Sequence, residues 1–332
     1  MKVSTKLLGG LLALALLLAA CVPIQAPSAQ QADSSNGQSA AGYPVTIESC
    51  GRTMTFTKPP ERVYTTYWNS ADLLIRLGLG DRVIANAYQG DTQGGDIAEA
   101  YNQIPNQFAK YPAKEEVFAL KPDLILASYD TFDFRPETGT PALEDVLAAN
   151  IPVYSMSTEC GSGKATEATF AMFYEDVRNV GKIFGVTERA EALVQEMQTR
   201  IAAVQAKVAG RPVVKALIYY GGEGPLGVFT NGVYGDILKL AGGETIFPDT
   251  DNTAPQVSIE EVAVRAPEVF LCIEYGTSFA DMQAFLFKTF PNSPAGQNQR
   301  AALVPDGTTP ASYRTVAAIE AFAKVFHPEA FQ

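Results

Sequence analysis

The second half of the chain repeats the first. Glu115-Glu116-Val117 stands before Pro122-Asp123-Leu124-Ile125-Leu126, and Glu260-Glu261-Val262 stands before Pro267-Glu268-Val269-Phe270-Leu271. Both acidic pairs and both prolines are offset by 145 positions. A looser echo relates Asp72-Leu73-Leu74, running to Leu77-Gly78, to Asp236-Ile237-Leu238, running to Leu240-Ala241-Gly242. Each copy reads as a helix followed by an apolar strand, so the chain must accommodate two related α/β units. Its 332 residues exceed what one compact core usually takes, which also argues for two lobes.

The body alternates strand and helix signals. Val63-Tyr64-Thr65-Thr66, Val83-Ile84-Ala85, Leu124-Ile125-Leu126-Ala127 and Ile151-Pro152-Val153-Tyr154 are β-prone runs. Between them, Ala71 to Leu77 has helical spacing and stops at Gly78, and Glu115 to Leu120 stops at Pro122. The alternation resumes at Val213–Tyr220 and continues with Val269–Ile273. Continuous apolar strands separated by helices predict mostly parallel sheets covered on both faces. No strand signal appears from Lys164 to about Ala209; instead Phe170, Phe173, Val177, Val180 and Phe184 recur at helical steps, Gly185 interrupts, and Ala190, Leu193, Val194, Met197, Ile201 and Val204 share one face of a second helix. The expected division is an N-terminal lobe over 43–162, a linking helix within 163–186 and a C-terminal lobe over 187–332. Ligands favour the cleft between such lobes and the loops after the carboxyl ends of their strands. Val45, Ile47, Thr53 and Thr55 around Cys50-Gly51 predict a small hairpin ahead of the first lobe.

The first twenty residues read as an export leader: Lys2 and Lys6, an apolar run from Leu7 to Ala20, and Ala19-Ala20 before Cys21. A cysteine at the cut makes it a lipoprotein signal, with Cys21 carrying the lipid that ties the protein to the outer face of the membrane. Residues 22–42, rich in Ala, Ser, Gln and Pro, read as a flexible tether. Export permits disulfides. Cys50 and Cys160 each stand beside a glycine in a loop and are expected to pair, whereas Cys272 sits in the apolar run Val269–Ile273 as a buried thiol. A formal net charge of −11 argues against nucleic acid as a partner.

Further short runs complete a pattern. Pro60-Glu61-Arg62-Val63 opens the first strand, Leu77-Gly78-Leu79-Gly80-Asp81-Arg82-Val83 follows the first helix, Ala119-Leu120-Lys121-Pro122-Asp123-Leu124-Ile125 and Val257-Ser258-Ile259-Glu260-Glu261 mark the repeat, and His327-Pro328-Glu329 ends the last helix. In this order, from about Pro59 to Pro328, the chain resembles the helical-backbone class of ABC-importer substrate-binding proteins, the group that handles ferric siderophores, haem and cobalamin. The resemblance implies two Rossmann-like lobes joined by one long α-helix. It also implies a monomer with no cofactor of its own and no enzymatic chemistry, which captures a chelate and docks on a permease served by an ATPase. A ferric siderophore is the first expectation for the cargo; haem and cobalamin are the alternatives. Glu115 and Glu260 match the family's docking acids, one per lobe, where charge-assisted pairs orient a transient complex. The competing reading is local, since acids favour first helical turns and Ser258-x-x-Glu261 is a capping box.

The loops after the expected strands are rich in aromatic residues that suit a large, flat, partly apolar ligand. Tyr67-Trp68 follows the first strand and Tyr88 the second; Tyr111 precedes the helix of Glu115; Tyr129, Phe132, Phe134 and Arg135 follow Leu126. In the second lobe Tyr220 and Glu223 follow one strand with Phe229 and Tyr234 soon after, Tyr275 follows another, and Tyr313-Arg314 opens the last helix. The candidate ligand contacts are therefore Tyr67, Trp68, Tyr88, Tyr111, Tyr129, Arg135, Tyr220, Glu223, Tyr275, Tyr313 and Arg314, with the arginines suited to an anionic chelate. With one histidine in the chain, His327, no histidine cluster exists to grip a bare transition metal. Gly161-Ser162-Gly163-Lys164-Ala165 lacks the outer glycine and the Ser/Thr of a phosphate loop, and Gly222-x-Gly224-x-x-Gly227 carries Pro225 inside its dinucleotide spacing. An exported α/β hydrolase is the reading from another class, but the chain has no G-x-S-x-G and no histidine outside its end. A lipoprotein that senses without transporting is a third.

Overall fold

A computed structural model describes residues 42–88, 95–160, 165–305, 307, 308 and 310–332. The leader, Cys21, the tether and the Gly161–Lys164 stretch lie outside the described residues. Order starts with an antiparallel hairpin of β1 (Val45–Ser49) and β2 (Arg52–Phe56). Its two central residues, Cys50 and Gly51, both have positive φ, as a two-residue turn matching the strands' right-handed twist requires.

The first sheet contains β3 (Val63–Thr65), β4 (Val83–Ala87), β5 (Asn106–Phe108), β6 (Leu124–Ala127) and β7 (Val153–Ser155). The strands are all parallel and lie in the order β5-β4-β3-β6-β7, so the direction of winding reverses between β3 and β6. Helices α1 (Trp68–Arg76), α2 (Ala98–Asn102), α3 (Lys114–Ala119) and α4 (Leu143–Ala148) make the crossovers. Then come α5 (Phe170–Ile183), inside the segment read as the link, and the 22-residue α6 (Thr187–Val208).

The second sheet is built around β8 (Val214–Gly221). Its first half pairs in parallel with β10 (Gly243–Thr245) and its second half antiparallel with β9 (Leu226–Phe229), which in turn pairs with β11 (Gln256–Val257). On the other side β12 (Val269–Cys272) and β13 (Ala301–Leu303) continue the parallel order. The helices are α7 (Val233–Leu240), α8 (Ile259–Arg265), α9 (Phe279–Thr289), α10 (Pro294–Gln297) and α11 (Thr315–Phe326). The repeat is visible directly: α3 and β6 correspond to α8 and β12, and Asp72 on α1 to Asp236 on α7. The Gly222–Gly227 spacing forms the β8–β9 turn and leads into a strand, which excludes a dinucleotide loop.

Both sheets contribute one face to a common core. In β12, Val269 and Leu271 point into it while Phe270 and Cys272 point the other way; in β6, Leu124 and Leu126 point in and Ile125 and Ala127 out. Between the sheets lie the apolar faces of α1, α5, α6, α7 and α11. The outer faces carry separate, smaller clusters, where Val117 of α3 and Val262 of α8 occupy equivalent places. Cys272 is fully buried, and burial pushes its thiol up to about 12.

Helix α5 holds the two halves together by polar contacts as well. The N–H of Phe170 donates to Asp236 on α7 at 2.8 Å. Further along, buried Asp176 accepts the Tyr154 hydroxyl at 2.7 Å, the Ser157 N–H at 3.0 Å and the Ser157 hydroxyl at 2.9 Å. Its companion α6 approaches so closely that a Cβ on Gly181 would overlap the Cβ of Ala190. In the first lobe, Cys50 is bonded to Cys160 with Cα atoms 5.2 Å apart, across 110 positions. Closing a loop of that length is worth roughly 4–5 kcal/mol in the chain-entropy account.

Two predictions test this frame. Gly181→Val should separate α5 from α6 and cost about 1–3 kcal/mol, read as a lower urea midpoint at unchanged slope. Burial, with a smaller push from Glu175, raises Asp176 from its ordinary 3.8 to about 7 despite its donors. An acid raised in the folded state holds its proton where the unfolded chain releases it. Its contribution is therefore complete below about pH 4 and is lost as pH rises through about 7. Asp176→Asn should flatten that loss, at most about 1.4 kcal/mol per pH unit, in unfolding curves collected across this window.

Candidate functional site

The carboxyl ends of both sheets carry aromatic residues at the points where winding reverses. After β3 comes Tyr67 and after β6 comes Tyr129, their rings 5.6 Å apart edge to face. Tyr88, after β4, stacks on Tyr67 at 5.2 Å, Tyr111 adjoins Tyr88 at 5.3 Å, and exposed Phe132 closes the group 5.8 Å from Tyr129. In the second sheet Tyr220, at the end of β8, lies 6.2 Å from Tyr275, which follows β12 and is 59% exposed. Phe229 joins Tyr220 at 4.6 Å and stacks on Tyr234 at 4.1 Å. The two groups confront one another across a shared cavity, which Tyr129 lines from one and Phe229, Tyr234 and Tyr275 from the other; burial pushes the Tyr67 hydroxyl up to about 12. Ligands in open α/β sheets sit at such reversal points, outside the strands' carboxyl ends.

A cavity of ≈ 200 Å³ lies between the halves. Tyr129, Thr158 and Glu159 line it from the first half. Phe229, Asn231 and Tyr275 are among its walls from the second. Its walls combine aromatic rings with a few placed polar groups, the usual make-up of a small-molecule site. Its floor on the first side is held by Asp133. That buried carboxylate accepts the N–H groups of Ser128 and Tyr129 at 3.0 Å, the Tyr111 hydroxyl at 2.8 Å and the Thr66 hydroxyl. Burial raises Asp133 to about 6 against these donors. Glu159 is pushed up to about 7, first by burial and then by the charge of Asp133.

The other expected contacts are placed as follows. Arg135 lies over the Phe132 ring at 3.7 Å, on the outer side of the first aromatic group. Trp68 starts α1 and is only 3% exposed, turned into the common core with Arg314 at 5.2 Å over its ring. Arg314 forms an ion pair with Asp72 at 3.3 Å. The Tyr313 hydroxyl donates to Glu196 at 2.5 Å and accepts from Arg200 at 3.1 Å, while Arg76 lies 3.8 Å over its ring. Tyr313 and Arg314 thus clamp α11 to α6 and α1. Glu223 is exposed on the β8–β9 turn. The tyrosines Tyr67, Tyr88, Tyr111, Tyr129, Tyr220 and Tyr275 are brought together; Trp68, Tyr313, Arg314 and Glu223 have these other surroundings.

Sequence reasoning missed Thr158, Glu159 and Asn231 as cavity walls. Only Cys160 marked the Thr158–Glu159 segment, because a cystine beside a residue fixes its backbone. Nothing local marks Asn231, whose side-chain N–H₂ donates to the carbonyls of Thr250 at 2.7 Å and Phe247 at 3.3 Å.

The acidic pairs also separate by role. Glu116 accepts the N–H of Ala113 at 2.8 Å, and Glu261 accepts that of Ser258 at 3.0 Å, so the second glutamate of each pair caps its helix. The first ones, Glu115 and Glu260, are exposed in the first turns of α3 and α8 and make no hydrogen bond or ion pair among the described residues.

Comparison with known proteins agrees with this architecture. Residues 63–306 match the family described as periplasmic binding protein. The vitamin B12-binding protein of Vibrio campbellii is 29% identical over 268 residues, covering 79% of this chain and 87% of that protein. Among solved structures, a periplasmic binding protein from Veillonella parvula superposes with a TM-score of 0.77 at 21% identity, covering 86% of this chain and 97% of that one. An ABC-type Fe3+-hydroxamate transport protein from Saccharomonospora viridis gives 0.71 at 24% identity, with coverage of 86% and 99%. By the family match over most of its length, with the two-lobed fold to accompany it, this chain belongs to the periplasmic binding proteins of ABC transport.

Proposed function

We propose that the protein is the lipid-anchored, extracytoplasmic substrate-binding component of an ABC importer, that it captures a metal chelate in the cleft, and that a ferric siderophore is the leading cargo. The observation that carries this reading is the pair of aromatic groups facing each other at the reversal points of the two sheets. Such rings offer large apolar faces at low entropic cost to a chelate that brings its own metal. The chain's single histidine is buried and faces the Gly242 carbonyl at 3.3 Å, away from this cleft. A corrinoid is the second reading, supported by the name of the Vibrio relative. Anchorage through Cys21 and a monomeric state belong to the same proposal. Glu115 and Glu260 are assigned to permease docking, since they are exposed, equivalent under the repeat and not used as caps.

Binding is checked by titrating the purified body with ferric siderophores and cobalamin, using iron-free chelators as controls. Trp68, the one tryptophan, lies 6.2 Å from Tyr67, so a coloured chelate in the cleft should quench it. Saturable quenching confirmed by calorimetry is the expected result; flat titrations across the panel would remove the chelate reading. In cells, Glu115→Ala with Glu260→Ala should abolish uptake while leaving affinity within about two-fold, because a docking charge acts on the encounter with the permease. An equal fall in affinity would make these acids site or fold residues.

A further inference from the structure

The cleft's charge bears on which chelates it accepts. Among the described residues lining the cavity, Glu159 alone carries a formal charge. Its carboxylate makes no hydrogen bond or ion pair among the described residues, yet its backbone is tightly held. The Glu159 N–H donates to the Met156 carbonyl at 3.1 Å, its carbonyl accepts the N–H of Asp130 at 3.3 Å, and the next residue is half of the cystine. Among the described residues, three nearby arginines are engaged elsewhere: Arg52 with Asp130 at 2.5 Å, Arg314 with Asp72, and Arg135 with the ring and carbonyl of Phe132. Asn231, across the cavity, spends its N–H₂ on backbone carbonyls. The raised pKa of Glu159 agrees, since a carboxylate beside a cation would be lowered instead.

We propose that Glu159 makes the cleft selective for charge: it accepts cationic or neutral chelates that turn an N–H or O–H donor toward this carboxylate, and it discriminates against polyanionic ones. This rests on the reading that the cleft holds a metal chelate. Ferric iron held by three hydroxamates is neutral at the metal, and a pendant ammonium makes the chelate cationic. Three doubly deprotonated catecholates leave a trianion, which would bring like charge against Glu159 and Asp133. A corrinoid, ringed with primary amides, satisfies the donor requirement without charge.

The test is a matched series around one ferric trihydroxamate bearing a terminal amine: the free ammonium, its N-acetylated neutral form and its N-succinylated anionic form, with cobalamin alongside. Titration at about pH 8 keeps Glu159 ionised. Wild type should bind in the order cation, neutral, anion, with at least about ten-fold between the ends, and Glu159→Gln should compress that spread to about two-fold. Glu159→Gln preserves size and polarity, and its circular dichroism and melting temperature establish that it is folded. Equal affinity across the series in wild type, or an unchanged spread in the variant, would overturn the charge assignment and leave the chelate reading standing. No binding by any chelate or by cobalamin would overturn both.

Discussion

The packing that everything else depends on is the core shared by the two sheets. Because strand side chains alternate, each sheet sends one row of apolar residues inward and one outward. The inward rows, Leu124 and Leu126 from β6 and Val269 and Leu271 from β12, meet the same set of helices. The halves are therefore not two bodies on a flexible link. A change in the angle between them would have to shear close-packed side chains, which interiors resist. Helix α5 adds polar fastening to both halves, from the Phe170 N–H at its start to Asp236 in the second and from Asp176 near its middle to Tyr154 in the first.

That core fixes how the carboxyl ends of the strands face one another, and the chemistry follows. In each sheet the winding reverses beside the first strand, between β3 and β6 and between β8 and β12. Tyr220 stands at the end of β8, and the chain leaves the other three strands through segments bearing Tyr67, Tyr129 and Tyr275. Asp133 gathers the first group by accepting two backbone N–H groups and two hydroxyls, so one buried carboxylate sets the shape of the wall. A site on such supports is preorganised, and preorganisation lowers the ordering cost of binding.

Much of this was readable in the sequence because the repeat is strict where packing is strict. The offset linking Glu115 to Glu260 also carries α3 onto α8 and β6 onto β12, since strands buried on both faces must read as continuous apolar runs. The short strands were harder. Asn106–Phe108 and Gly243–Thr245 have little apolar signal of their own, Ala301–Leu303 is too short to carry one, and their neighbours' free edges recruit all three. The aromatic loops were recognised, but direction was not. Tyr67 and Trp68 are adjacent, and the start of α1 turns the larger ring into the core while its neighbour joins the cleft. Tyr313 and Arg314 looked like a ligand-facing pair, yet Glu196, Arg200 and Asp72, distant in sequence, claim them. Glu159 was hidden beside Cys160, whose pairing drew the whole reading of that segment.

The cystine has a topological consequence. Cys50 and Cys160 bracket β2 and all five strands of the first sheet, so their bond makes residues 50–160 a covalent ring. The ring's exposed turns, such as those around Phe132 and Glu137, are the places a protease outside the cell would reach first. One cut there opens the ring without releasing a fragment: the nicked chain remains a single molecule, with both ends of the break still joined to the same folded body.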